Sequence, residues 1–299
     1  MGGGHPADDL ILAIERLRAP VCVGLDPVVE RLPREWAPAS ASPLAAASAI
    51  ESFSKLVLDA VAGIVPAVKF QSACYERMGS EGVAALDRSI DAARERGLIV
   101  VLDVKRGDIG ISAQHYAAAA LGSDGTEPRC DWVTLSGYLG TEAWAPFVPP
   151  SRRAGAFVLV RTSNPSGDAL QSLRLGDGRT IAEAMADLVA EAGKSSVGEC
   201  GYSALGAVVG ATKRQDAERL RARMPQQIFL VPGYGAQGGS ADDVRACFDA
   251  RGQGAIVTAS RSVIYPLPSD GAPAPQWSAA IREAARKLAD DISRVAQGR

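Results

Sequence analysis

The chain has 299 residues, 47% of them hydrophobic and 22% charged, with a net charge of −2 at pH 7. That balance is ordinary for a globular protein and offers no electrostatic reason to expect nucleic acid or an anionic membrane as partner. No apolar run approaches the roughly 18 residues a membrane span needs, and the MGGGHPADDL start is too polar for a signal peptide, so a soluble, cytoplasmic protein is expected.

Short apolar, β-rich runs recur along the chain, each followed by polar residues and then a helical pattern. The predicted strands are Val21–Leu25, Ala67–Phe70, Leu98–Leu102, Trp132–Leu135, Ala156–Val160, Ala207–Val209, Ile228–Val231 and Ala255–Thr258. Between them, Ala49–Ala62 carries apolar residues at 50, 53, 56, 57 and 61, and the Ala-rich Val83–Arg96 stops at Gly97. Further helices are read at Ile181–Ala192, Ala241–Ala250 and Trp277–Ala296. Eight strands alternating with helices predict an α/β fold, a (β/α)8 TIM barrel forming a single domain over 1–299. An open doubly wound sheet is the structural alternative. It calls for a Gly-x-Gly-x-x-Gly turn after the first strand, where Val23-Gly24-Leu25-Asp26-Pro27 stands instead. The stretches near 27–48 and 164–202 read as insertions, Gly122–Arg129 as a long loop, and Pro266–Pro275 as a proline-rich lead into the last helix.

Five scattered cysteines without Cys-x-x-Cys spacing fit reduced thiols. Of the two histidines, His5 falls in an expected mobile tail and His115 follows a predicted helix start, which leaves little for a zinc site or a serine–histidine triad. The chemistry must then rest on carboxylates, lysines and backbone.

Those groups fall at the C-terminal strand ends, which converge on one mouth in a barrel. Strand one ends in Asp26 and strand two in Lys69. Strand three runs into Asp103-Val104-Lys105-Arg106-Gly107-Asp108, where alternation places Asp103 and Lys105 on one side and Asp108 follows in a glycine-bearing turn. Strand four ends in Thr134-Leu135-Ser136-Gly137 and strand five in Arg161-Thr162-Ser163-Asn164-Pro165. A solvated ion-pair cluster would explain the strand-three charges alone, but not so selective a placement on every strand end. Glycines 233, 235, 238 and 239 after strand seven allow close approach to an anion, a helix starting near Ser240 adds a positive N-terminus, and Arg261 after strand eight supplies a cationic fork. Together they predict a phosphate site. In the row Lys69, Asp103, Lys105, Asp108, alternating signs keep each group ionised. Lys105 held so suits a general acid rather than a Schiff-base nucleophile, with Asp103 a fixed anion beside it. A substrate carboxylate pressed on that anion is relieved when CO2 leaves, which suggests decarboxylation with protonation of the carbanion.

These residues resemble the signature of the orotidine 5′-monophosphate decarboxylases, in their longer bacterial form (type 2). Besides Asp103-Val104-Lys105-Arg106-Gly107-Asp108, the matching segments are Leu25-Asp26, Val68-Lys69-Phe70, Thr162-Ser163-Asn164-Pro165, 232–239 and Ser260-Arg261-Ser262, in the expected order. The resemblance implies a cofactor-free, metal-free lyase that converts orotidine monophosphate to uridine monophosphate and CO2. It implies that Lys105 protonates C6 of the ring, Asp103 faces the departing carboxylate, and Lys69 and Asp26 contact the ribose. Ser163 would bind the pyrimidine edge, Pro232 flank the ring, Gln237 bridge loop and phosphate, and Arg261 hold the phosphate. It further implies a homodimer in which Asp108, with Ser112, reaches the neighbour's site. Magnesium-dependent decarboxylases and aldolases of keto-sugar phosphates share the barrel and the Asp-x-Lys-x-x-Asp pattern, but carry an acidic metal ligand where Lys69 stands. A non-enzymatic phosphate-binding protein would not need Lys105 between two aspartates.

Overall fold

The computed structural model describes residues 4–38, 40, 42–122, 128–149, 153–210, 214–234, 240–268 and 273–298. In chain order the elements are α1 (Pro6–Leu17), β1 (Val21–Leu25), α2 (Pro43–Val61), β2 (Ala67–Gln71), α3 (Ser72–Glu76), α4 (Gly79–Glu95), β3 (Ile99–Arg106) and α5 (Gly110–Leu121). They continue with β4 (Trp132–Leu135), β5 (Gly155–Arg161), α6 (Asp168–Gln171), α7 (Ile181–Gly193), β6 (Ser203–Val209), α8 (Arg214–Arg223), β7 (Gln227–Val231), α9 (Ala241–Arg245), β8 (Ala255–Ala259), α10 (Arg261–Ile264) and α11 (Ala274–Ala296). The eight strands pair in parallel in sequence order, and β8 closes on β1. This is the TIM barrel expected from the strand–helix alternation.

Two apolar layers follow from the two faces of each strand. One face packs outward against the helices: Val21, Val23, Leu25, Val68, Phe70 and Val100 all join the large cluster that includes Ile50, Phe53, Ile90 and Trp277. The other face fills the barrel. Cys22, Ala67, Val101, Trp132, Phe157, Ile228 and Ile256 form an inner plug, with Trp132 and Phe157 stacked at 4.3 Å between ring centroids. Helix α1 closes the lower end by inserting Ala7, Leu10 and Ile11 into that plug. The expected mobile tail is thus structured from His5 onward. His5 caps α1 by accepting from Ala7 N–H, and its Nε2 donates to the Ser196 carbonyl at 2.9 Å. The apolar stripe of α1 is short and interrupted by Glu15 and Arg16, which concealed it as a helix.

Close packing inside the barrel makes some glycines obligatory. Gly206 of β6 lies beside Phe157, and a Cβ there would sit 2.5 Å from the Ile228 carbonyl oxygen and 2.7 Å from the Phe157 ring. Neither neighbour can move without breaking the barrel. Gly206→Ala should therefore lower unfolding free energy by about 1–3 kcal/mol in urea denaturation, the usual range for overpacking.

The boundaries differ from expectation where capping decides them. Helix α2 begins inside the stretch read as a loop, because Ser42 accepts from Ala45 N–H and Pro43 occupies the first turn. Helix α7 lies in the middle of 164–202 and packs on both β5 and β6. It is the helix that joins those two strands. Helix α9 ends at Arg245, short of the predicted Ala250.

Candidate active site

The barrel's inward face changes character along each strand. On β2 the inward positions run from Ala67 in the plug to Lys69 and Gln71; on β3 they run from Val101 to Asp103. The register pairs Lys69 with Gly24 on one side and with Val101 of the plug on the other, and Gln71 with Asp103, so β2 and β3 raise polar groups from the top of the apolar plug. Gly24 leaves that level clear: a Cβ there would lie 2.0 Å from Ser260 Oγ.

Asp103 is the hub. Its Oδ2 accepts from Lys69 Nζ at 2.8 Å and Gln71 Nε2 at 3.0 Å, and its Oδ1 accepts from Lys105 Nζ at 2.6 Å and Thr134 Oγ1 at 2.8 Å. Burial alone would raise its pKa, but Lys69 and Lys105 outweigh burial and hold the carboxyl well below the usual carboxylate range. Lys69 is also buried, which disfavours its charge. Asp26, at 3.7 Å, and Asp103 reverse that and push its pKa above the ordinary lysine value. Asp103 therefore stabilises the fold above about pH 4 and loses that contribution as pH falls through its lowered pKa. Lys69 contributes below about pH 10 and loses its part as pH rises through its raised one. Taking such a pair out of water is costly and adds little net stability, so its presence points to use.

This arrangement corrects the expected row. The ammonium held between two carboxylates within this chain is Lys69, between Asp26 and Asp103. Lys105 contacts Asp103 and leaves its side chain 46% exposed toward the mouth. Asp108 makes no ion pair with Lys105 among the described residues; its Oδ1 accepts from Ile109 N–H. Asp103 and Lys105 do meet on one side, but not through a regular pleat. Lys105 has a left-handed backbone, with φ of 47°.

The polar groups line a cavity of about 490 Å3 at the strand C-termini. Its walls bring together Asp26, Lys69, Asp103, Lys105, Ser163, Pro232 and Arg261, seven of the ten predicted site residues. Gln71, Thr134, Thr162, Asn164, Thr258 and Ser260 are among the residues that add to the polar lining, while Leu159, Val208 and Leu230 supply apolar wall. Asp108 and Ser112 do not line this cavity. Gln237, with Gly235, Gly238 and Gly239, lies outside the described residues. Gln71 was not read as a site residue, although its place two residues after Lys69 was an available signal.

Two expected contributions are reduced. At the start of α9, two backbone amides are already engaged by the helix's own cap. Ser240 Oγ accepts from Asp243 N–H, the Asp243 carboxylate accepts from Ser240 N–H, and Asp242 adds a further negative charge. Arg161, though at a strand end, turns away from the mouth, its buried guanidinium pairing with the part-exposed carboxylates of Asp168 and Asp216. The cationic element left at the expected phosphate site is Arg261, which lines the cavity and has no carboxylate partner among the described residues.

A parallel eight-stranded barrel with a charged, part-apolar cavity at its C-terminal mouth defines a barrel enzyme acting on a small anionic substrate. The model of the "Orotidine 5'-phosphate decarboxylase / HUMPS family" matches residues 19–266. A Rhodopirellula baltica orotidine 5'-phosphate decarboxylase is 44% identical over 299 residues, covering 96% of this chain and 98% of that protein. A Clostridium perfringens enzyme of the same name is 35% identical over 260 residues, covering 86% and 88%. The solved structure of Leishmania donovani OMP decarboxylase superposes with a TM-score of 0.74 at 30% identity, covering 98% of this chain and 99% of that one. The chain belongs to the orotidine 5'-phosphate decarboxylase / HUMPS family, and its named relatives are decarboxylases.

Proposed function

We propose that this protein decarboxylates orotidine 5′-monophosphate to uridine 5′-monophosphate and CO2, with Lys105 delivering a proton to C6. The observation that carries this reading is the Lys69–Asp103–Lys105 row, with an anion locked between two ammonium groups on the wall of a cavity that also holds Arg261. Asp103 faces the substrate carboxylate, and their repulsion is relieved as CO2 leaves. The Lys105 amine on the same carboxylate then stands where the carbanion forms. Lys69 and Asp26 suit the ribose hydroxyls, Ser163 the pyrimidine edge, Pro232 the ring face, and Arg261 the phosphate; Gln237 is assigned to the phosphate loop. Asp108 and Ser112 are assigned to the cavity of a second copy in a homodimer. Both stand outside their own cavity's lining, on the segment that bears the exposed Ile109 and Ile111.

The family model also takes in the sugar-phosphate branch, where magnesium-dependent chemistry would need an acidic ligand at the end of β2. Lys69 occupies that place and sets its ammonium against both nearby carboxylates, so the donor set present does not fit a divalent cation. Incubation with orotidine 5′-monophosphate, followed by ultraviolet absorbance, tests the reading. Turnover should proceed and survive excess EDTA. No turnover would refute the decarboxylase reading, and EDTA-sensitive turnover would refute the metal-free mechanism.

A further inference from the structure

The route by which β3 brings Lys105 to Asp103 exposes a role for a residue on the next strand. Between β3 and β4 the register advances from Leu102 opposite Val133 to Arg106 opposite Leu135. Strand β3 thus spends four residues where β4 spends two, and the extra length bulges at Asp103, Val104 and Lys105. A bulge strips ladder partners from the backbone. Regular pairing resumes only where Ser136 N–H donates to the Arg106 carbonyl at 2.7 Å. The β4 residue facing the gap is Thr134, fully buried. Its hydroxyl accepts from the Lys105 N–H at 3.0 Å and donates to Asp103 Oδ1 at 2.8 Å.

We infer that Thr134 is a positioning residue for the decarboxylation: its hydroxyl completes the broken ladder, holding the left-handed Lys105 backbone and the Asp103 carboxylate in one fixed relation. This deepens the proposed function and rests on it. A left-handed backbone at a lysine persists only where the surroundings enforce it. Without the hydroxyl, the Lys105 amide is left unpaired and Asp103 Oδ1 loses a donor. The carboxylate can then turn about its remaining contacts, carrying the Lys105 ammonium with it. A positioning error of this kind acts on the chemical step more than on ground-state binding.

The test compares Thr134→Val, which keeps the shape and removes the hydroxyl, with Thr134→Ser, which keeps the hydroxyl. For Thr134→Val, kcat should fall about 10–100-fold, while KM and the calorimetric affinity for uridine monophosphate stay within about threefold of the wild type. Thr134→Ser should restore at least about a third of the wild-type kcat. A Thr134→Val kcat within about threefold of wild type would overturn the inference. So would a fall matched by lost product affinity, or one that serine does not repair, since either marks a merely structural residue. Should the valine variant fail to fold, Thr134→Ala answers the same question with the same criteria. Wild-type turnover is measured alongside: its absence would sink the proposed function itself, whereas active wild type with an unaffected valine variant would sink only the role of Thr134.

Discussion

Replacing Lys105 with alanine should lower kcat for orotidine monophosphate by at least about 10^4-fold, combining the loss of a general acid with the loss of a preorganised charge. The structure makes this variant a clean one. Lys105 is half-exposed, so its removal opens no core cavity, and Asp103 keeps three of its four donors, from Lys69, Gln71 and Thr134. The fold should survive with a melting temperature close to that of the wild type. Lys69→Ala is the contrasting case, because it strands the buried carboxylate of Asp103 and should destabilise by about 3–5 kcal/mol as well as inactivate. The size of the Lys105 effect follows from the chemistry. Loss of CO2 from a pyrimidine carbon leaves a vinyl carbanion, for which a barrier reduction near the top of the enzymatic range, ~20 kcal/mol, is required. On the proposed assignment, a proton donor held beside that carbon shortens the life of the carbanion by protonating it as CO2 departs. Quantifying uridine monophosphate over time by chromatography reads the result, and undiminished formation by the alanine variant would overturn the assignment.

How far such a site can be read from sequence depends on which periodicity carries it. The barrel was legible because each strand is a short, nearly uninterrupted apolar run, buried on both faces as parallel strands are. Its inner polar level was legible for the same reason: Lys69 and Asp103 are charges at the ends of apolar strands, where only a mouth could receive them. What escaped depends on departures from period two. The bulge at 103–105 and the left-handed Lys105 are set by pairing with β4, a long-range relation that strand three does not encode. Thr134 was visible as a strand-end residue, but its role exists only opposite that bulge. Arg161 misled for a related reason. A register shift between Leu159 and Arg161 turns it out of the mouth and into pairs with Asp168 and Asp216, the latter more than fifty positions along the chain. The start of α9 was legible as a helix from Ser240, yet Asp243, which caps it together with Ser240, and the neighbouring Asp242 put negative charge where an anion would have to approach.

Arg261→Ala should lower kcat/KM by about 10^2–10^3-fold although its guanidinium is proposed to hold the phosphate, away from the reacting carbon. One preorganised charge contact supplies about 3–4 kcal/mol, so the Asp103–Lys105 pair cannot deliver ~20 kcal/mol by itself. The balance must come from binding energy at remote groups, used to hold the ring carboxylate against the Asp103 anion. Arg261 is placed for that work: it lines the cavity beside Ser260 and Ser262 and has no carboxylate partner among the described residues to neutralise it. A guanidinium meets a phosphate through two parallel donors, which a lysine cannot reproduce, so Arg261→Lys should recover only part of the loss. The phosphate-free nucleoside orotidine separates this from a general disturbance of the mouth. Wild type and Arg261→Ala should process orotidine at the same low rate, because the contact that distinguishes them is missing from both reactions. An alanine variant that keeps its kcat/KM on the nucleotide, or that loses as much on the nucleoside as on the nucleotide, would refute the assignment of Arg261 to the phosphate and the division of labour built on it.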